Sequence, residues 1–446
     1  VSTRPERRAV LASGLAAGVT AALGGCATGG TGDKGGGKAP EVKGGAGRQL
    51  KGSITVWSWD VAAKAMQRLA ADFEQKHPGA TVKVTDIGYD SAYDKITVGL
   101  RGGSGLADVL TVEGPRMATY MGTFPRGFHD LTKLAGPHQK DFDKAAWKTV
   151  VNPQGKVVAL PWDIGPCGLY YRTDYFRAAR ITADRIRTWD DFVAAGEQLK
   201  KRTGRKMLIL DPVEDSTFAM LLQQQGQHFY RDGQVAVDTP EGIRAATLLK
   251  TLADKGLVDY QKQWDGLVTG TKEGKAATTA TAAWWMGTLL SDMPELKGRF
   301  GVMPLPAFDA GGVRTSNSGG SVLSVPAQSK NPELAWAFVE FLLASAPNQV
   351  SMLKNEGLFP AYLPALADPY LSSPQEYFGG QPALQVFARL APSTPPVEYN
   401  KDGAKATDIM YSTITGILLR DKNPEEALDT AAGQIAAATG RPRIAG

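Results

Sequence analysis

The sequence predicts an α/β fold. Three observations lead there: Ile54, Thr55, Val56, Trp57, Ser58 and Trp59 form a β-branched and aromatic run, apolar side chains then repeat at helical spacing, and a second β-branched run follows at 81–84. Strand, helix and strand in that order make a βαβ unit, which calls for a parallel sheet covered by helices.

The helix is marked by Met66, Leu69, Ala70 and Phe73 at the i, i+3, i+4 and i+7 positions of one face, and His77-Pro78-Gly79 ends it. Residues 109–112 read as a short strand running into Glu113-Gly114-Pro115. Ligands of open α/β sheets lie beyond the carboxyl ends of strands, and Trp59, Asp60 and Glu113 all fall there. Residues 157–163 read as a strand broken by Pro161, and extended structure resumes at 169–171 after Gly165-Pro166. A helix at 188–200 opens with a Thr188 cap and Asp191 three residues on, an imperfect capping box. Residues 207–210 and 300–305 read as strands, 311–320 as a Gly- and Ser-rich stretch without a helical pattern, and 321–325 as another strand. Asn331 before Pro332 then reads as the cap of a helix that presents Leu334, Phe338, Phe341 and Leu342 on one face.

Composition sets the class. With 446 residues, 43% hydrophobic and 21% charged, the chain is globular and long enough for two packed domains. Its formal charge of +5 sits at one end: residues 1–51 carry eight of the 50 Lys and Arg and three of the 45 Asp and Glu, so the remainder carries 42 of each sign. A balanced body lacks the clustered cations of a phosphate-backbone binder, and nucleic acid is not an expected partner.

Arg4, Arg7 and Arg8 precede a charge-free, Ala- and Gly-rich run from Ala9 to Gly25. That run contains too few strongly apolar residues to span a bilayer, and residues 1–25 read as a signal peptide. Arg7-Arg8 resembles a twin-arginine signal. Leu23-Gly24-Gly25-Cys26 resembles the lipobox of bacterial lipoproteins, which implies cleavage before Cys26 and diacylglycerol on its sulfur. Nine glycines among residues 27–47, with almost no large apolar side chain, make 26–51 a flexible tether. Cys167 is the only other cysteine, so lipidation of Cys26 leaves no disulfide within a monomer; Cys167 itself reads as a small buried apolar group.

Segments 54–60, 73–79, 107–109, 155–175, 298–306 and 319–342 together resemble, in order and across nearly the whole body, the family 1 extracellular solute-binding proteins. These are sugar-binding subunits of ABC importers related to the maltose-binding protein. The resemblance implies a two-lobed, periplasmic-binding-protein-like (type II) fold with three interlobe crossings, near 161–168, 315–320 and 357–362. One lobe takes 52–163 plus 320–357 and the other takes 164–319 plus 358–446. It implies an exported, lipid-anchored monomer on the outer face of the cytoplasmic membrane, with no catalytic residue, cofactor or metal. The expected partners are a di- or oligosaccharide and the transmembrane subunits of an ABC permease.

A sugar offers hydroxyls around its rim and C–H faces above and below the ring, so its site needs aromatic platforms and planar polar groups. The expected ligand-binding residues are Trp59, Asp60, Tyr89, Glu113, Asp163, Trp264, Trp284, Trp285, Gly319, Gly320 and Tyr399. Trp284 and Trp285 match the family segment that reaches the cleft from the second lobe, and Gly319-Gly320 lets backbone amides approach a ligand. Asp60 reads equally as a helix cap, and Glu113 as first-turn charge. Trp57 and Trp336 fit core positions, whereas Trp162 falls at a crossover. The alternatives are a polyamine, metal-chelate or peptide binding protein and a lipid-anchored glycosidase. Against an enzyme, His77, His129, His138 and His228 are scattered, and neither a His-Glu-x-x-His nor a Gly-x-Ser-x-Gly motif occurs.

Overall fold

Two five-stranded sheets, each with its own apolar core, organise the computed structural model, which describes residues 40–42, 50–214 and 216–444. Cys26 and the expected signal peptide lie outside the described residues. Strand β1 (Gly52–Ser58) buries Ile54, Val56 and Ser58 on its inner face. It pairs in parallel with β2 (Ala80–Asp86) along its whole length and with β3 (Val109–Glu113) at Val56 and Trp57. The helix Asp60–Lys76 joins β1 to β2 and buries Met66, Leu69, Ala70 and Phe73, the stripe its periodicity predicts. After β4 (Ala159–Pro161) the chain enters the second sheet: β5 (Cys167–Arg172), β6 (Lys206–Leu210), a small hairpin of β7 (Tyr230–Arg231) and β8 (Gln234–Val235), then β9 (Val258–Tyr260), β10 (Ala276–Ala282) and β11 (Phe300–Pro304). It returns through β12 (Ser321–Ser324), giving sheet orders β2-β1-β3-β12-β4 and β11-β5-β10-β6-β9.

Neither sheet is wholly parallel, which corrects the expectation drawn from the first βαβ unit. β12 runs antiparallel to β3 and β4, and β5 antiparallel to β10 and β11. The reason is connectivity: β12 and β5 are fed by chain arriving from the opposite lobe, not by a crossover helix within their own sheet, so the right-handed βαβ rule does not govern them. Both faces of the second sheet are covered. Along β5, Cys167 and Leu169 join one core and Tyr170 joins the other, the alternation of a two-sided strand.

Three crossings run side by side between the lobes. The Ile164 amide donates to the Phe359 carbonyl and the Ala361 amide to the Trp162 carbonyl, at 2.9 and 3.0 Å. The Cys167 amide donates to Ser316 and the Ser318 amide to Gly165, each at 2.9 Å. At Gly165 a Cβ would lie 1.9 Å from the Ser318 carbonyl oxygen, so only glycine lets these two segments approach. Trp162 is fully buried in the first lobe's core and offers no face to a ligand; Trp336 is also core. Cys167 is fully buried as expected.

Three local details depart from the sequence reading. Thr188 and Asp191 form a complete capping box on the helix Trp189–Thr203. Asn331 makes no side-chain cap; its amide group reaches instead to the Ser53 carbonyl at 3.0 Å, tying the start of the helix Pro332–Leu343 to β1. The expected tether is fastened at Pro40–Val42. The Asp130 amide donates to Pro40, the His129 ring contacts the Pro40 carbonyl at 3.0 Å, Lys133 pairs with Glu41 at 2.8 Å, and Val42 is 3% exposed. Val42 is a large apolar side chain in a Gly-rich stretch, and its burial supplies what the glycines cannot. Among the described residues no helix is long and apolar enough to cross a membrane.

Candidate binding cleft between the lobes

The carboxyl ends of β1, β3 and β6 converge on one cavity of about 210 Å³. Ten of the eleven expected ligand-binding residues line it: Trp59, Asp60, Tyr89, Glu113 and Asp163 from the first lobe, Trp264, Trp284 and Trp285 from the second, and Gly319 and Gly320 from a crossing. Tyr399 does not. It lines a neighbouring cavity of about 430 Å³ bordered by the same crossings, where its hydroxyl bonds Gln223 at 3.3 Å and its ring meets His228 edge-on.

Two aromatic groups flank the cleft. In the first lobe Trp59, Tyr89 and Tyr93 pack edge-to-face with centroids 5.6 to 6.0 Å apart. Both phenols donate to Glu113, Tyr93 at 2.5 Å and Tyr89 at 3.3 Å. Glu113 is thus held by tyrosines, and its side chain does not cap the helix Gly114–Thr123 that it precedes. In the second lobe Trp264 lies 5.7 Å from Trp284, and both meet the edge of Trp285. Trp285 is only 1% exposed, so Trp264 and Trp284, each half-buried, present the accessible rings and Trp285 backs them. The Trp284 indole N–H donates to the Ser318 carbonyl at 2.9 Å, whereas the Trp285 N–H has no partner among the described residues.

Each lobe holds its tryptophan with the same device. Asp60, the first residue of its helix, has φ +47°, and its amide donates to Asp86 at 3.1 Å; the other Asp86 oxygen accepts from Gly88. Gln263, the first residue of the helix Gln263–Lys272, has φ +59°, and its amide donates to Asp211, whose other oxygen accepts from Val213. A non-glycine residue at positive φ costs roughly 1 kcal/mol, which these carboxylates offset by fixing the helix start beside Trp59 and Trp264. Asp60 therefore does not act as a side-chain cap.

The electrostatics are one-sided. Burial pushes the Asp163 carboxyl up to about 7 even though the Ser321 amide donates to it at 2.6 Å. Burial also raises Glu113 against its tyrosine bonds and Arg116, and raises Asp60 against Lys64. The Glu113 charge, together with burial, keeps the Tyr89 phenol protonated well past its ordinary range.

Sequence reasoning missed Asp211, Glu214 and Tyr93. Asp211 follows directly on β6, a strand legible at 207–210, and the strand-end rule that selected Asp60 and Glu113 selects it as well. Tyr93 carries no such signal, because its role depends on a helix turn placing it over Glu113.

Residues 58–349 match the family model of bacterial extracellular solute-binding proteins. The chain belongs to that family. Among similar solute-binding proteins, an arabinooligosaccharide-binding protein of Bacillus subtilis (strain 168) is 26% identical over 408 residues, 87% of this chain and 93% of that protein. A lactose-binding protein of Rhizobium radiobacter is 28% identical over 404 residues, 86% of this chain and 93% of that one. In fold, this solute-binding protein is similar to the GacH receptor of Streptomyces glaucescens, whose structures include a complex with acarbose: TM-score 0.77 at 23% identity, covering 88% of this chain and all of that one. The two-lobed α/β architecture is that of these binding proteins, and membership of an extracellular family implies export.

Proposed function

We propose that the protein captures a di- or oligosaccharide between its lobes and delivers it to the membrane subunits of an ABC importer. One observation carries the reading: accessible tryptophans on one lobe face an aromatic group and half-buried to buried carboxylates on the other, across a cavity bounded by the chain crossings. Aromatic faces suit sugar C–H surfaces, and carboxylates accept from ring hydroxyls. The names of the two relatives, an arabinooligosaccharide-binding and a lactose-binding protein, support the same class of ligand. Closure about the crossings follows from differential contact: a ligand touching both lobes favours the closed form. Periplasmic binding proteins as a class are a standard illustration of such hinge closure around a ligand. The chain acts without catalysis, as an exported monomer anchored by a diacylglycerol on Cys26 and fastened to its first lobe at Pro40–Val42.

Calorimetric titration with a panel of di- and oligosaccharides tests this. At least one binds with micromolar or tighter affinity and changes tryptophan fluorescence, and no reducing sugar is released. Silence across the panel, with a polyamine or metal chelate binding instead, overturns the reading.

A further inference from the structure

The polar lining of the cleft is lopsided. Its charged side chains are Asp60, Glu113, Asp163, Asp211 and Glu214, and none of its described residues is Lys, Arg, His, Asn or Gln. Ionised carboxylates only accept hydrogen bonds, Asp163 donating as well in its protonated form, and the missing types are the strong side-chain donors. Beside the backbone amides at Gly319 and Gly320, the remaining side-chain donors are hydroxyls and indole N–H groups, and two of these are already engaged, Tyr89 on Glu113 and Trp284 on Ser318. Lys64 and Arg116 act on Asp60 and Glu113 from outside the lining, and the Arg116 guanidinium lies over the Tyr93 ring at 5.0 Å.

A neutral sugar donates and accepts in similar measure, and a site matched to it mixes both kinds of group. This cleft is short of side-chain donors. An ammonium group donates three hydrogen bonds, accepts none, and is attracted to tryptophan and tyrosine faces, which line both sides here. It also supplies the charge that carboxylates need when lobe closure removes water. The acids do not converge on an ion: among the described residues no group of three or more His, Cys, Asp or Glu side chains could hold a metal.

We propose that the captured saccharide carries a protonated amine, which makes the ligand an amino-oligosaccharide recognised by Asp60, Glu113 and Asp163. This rests on the sugar-capture reading and narrows it.

The test is calorimetry on the full chain with hexosamine disaccharides of several linkages, each paired with its N-acetylated and its plain hydroxyl counterpart, and spermidine as a sugar-free amine. At least one free-amine disaccharide binds tenfold or more tighter than both counterparts. In Asp60→Asn, chosen because asparagine tolerates positive φ, the free-amine member loses at least threefold more affinity than its plain hydroxyl counterpart, so that the preference shrinks. Equal or tighter binding of the neutral members overturns the amine and leaves sugar capture standing. Binding of spermidine alone, or of no saccharide at all, overturns the sugar-capture reading itself.

Discussion

The indole N–H of Trp284 donates to the carbonyl of Ser318 at 2.9 Å, so a tryptophan at the cleft is bonded directly to a segment that crosses between the lobes. Gly319 follows at φ +78°, and a Cβ there would meet the same indole nitrogen at 3.4 Å and the Glu113 carboxylate at 3.8 Å. One residue thus sits against aromatic and carboxylate groups of both lobes.

Gly319→Ala is expected to cost about 1 kcal/mol of stability through its positive φ and to weaken ligand binding about tenfold. Thermal melts and calorimetry on the same preparation check both. Unchanged affinity would mean that Trp284 and Glu113 do not meet the ligand beside Gly319.

Asp211→Ala removes the acceptor for the Gln263 and Val213 amides and should destabilise the protein by about 1–3 kcal/mol. It should also weaken binding by loosening Trp264, and Gln263→Gly, which relieves the positive φ, should stabilise by up to about 1 kcal/mol. Asp86→Ala is the matching change in the first lobe. Chemical denaturation midpoints with titrations decide; a loss of stability without loss of affinity would separate the carboxylates from the tryptophans they adjoin.

Asp163 predicts a pH dependence. Its folded pKa, about 7, lies above the ordinary 3.8, so its contribution to stability is fully present below pH 4 and lost as pH rises towards 7. The shift sets an upper bound of about 4 kcal/mol. His228 slopes the other way: burial lowers it to about 4, so its contribution is present above 6.5 and lost as pH falls towards 4. The difference in melting temperature between Asp163→Asn and the parent isolates the aspartate, and should grow in the variant's favour from pH 4 to 7. A flat difference would place Asp163 in a wetter site than its 5% exposure implies.

Much of the first lobe was legible because its strands and helices carry their own signals. β1 alternates buried and exposed residues, and the helix after it has a 3.6-residue stripe ended by Pro78 and Gly79. β10 was not legible: Ala276–Ala282 reads AATTATA, small residues without aromatic or bulky β-branched emphasis, and becomes a central strand only through its neighbours β5 and β6. The strand-end rule found Trp59, Asp60 and Glu113 from local sequence. It could not rank Trp284 above Trp285, because which ring is accessible depends on how these two neighbours pack against Trp264 from another segment. Val42 was unreadable for a similar reason, since its partners lie nearly ninety residues on, at 128–130.

A crystal structure of the protein with the tightest-binding saccharide from the panel tests the central claim most directly. The predicted result is a sugar between Trp264 and Trp284 on one lobe and Trp59, Glu113 and Asp163 on the other, with the lobes drawn together. A sugar lodged beside Tyr399 in the neighbouring cavity, with the tryptophan cleft empty, would contradict it.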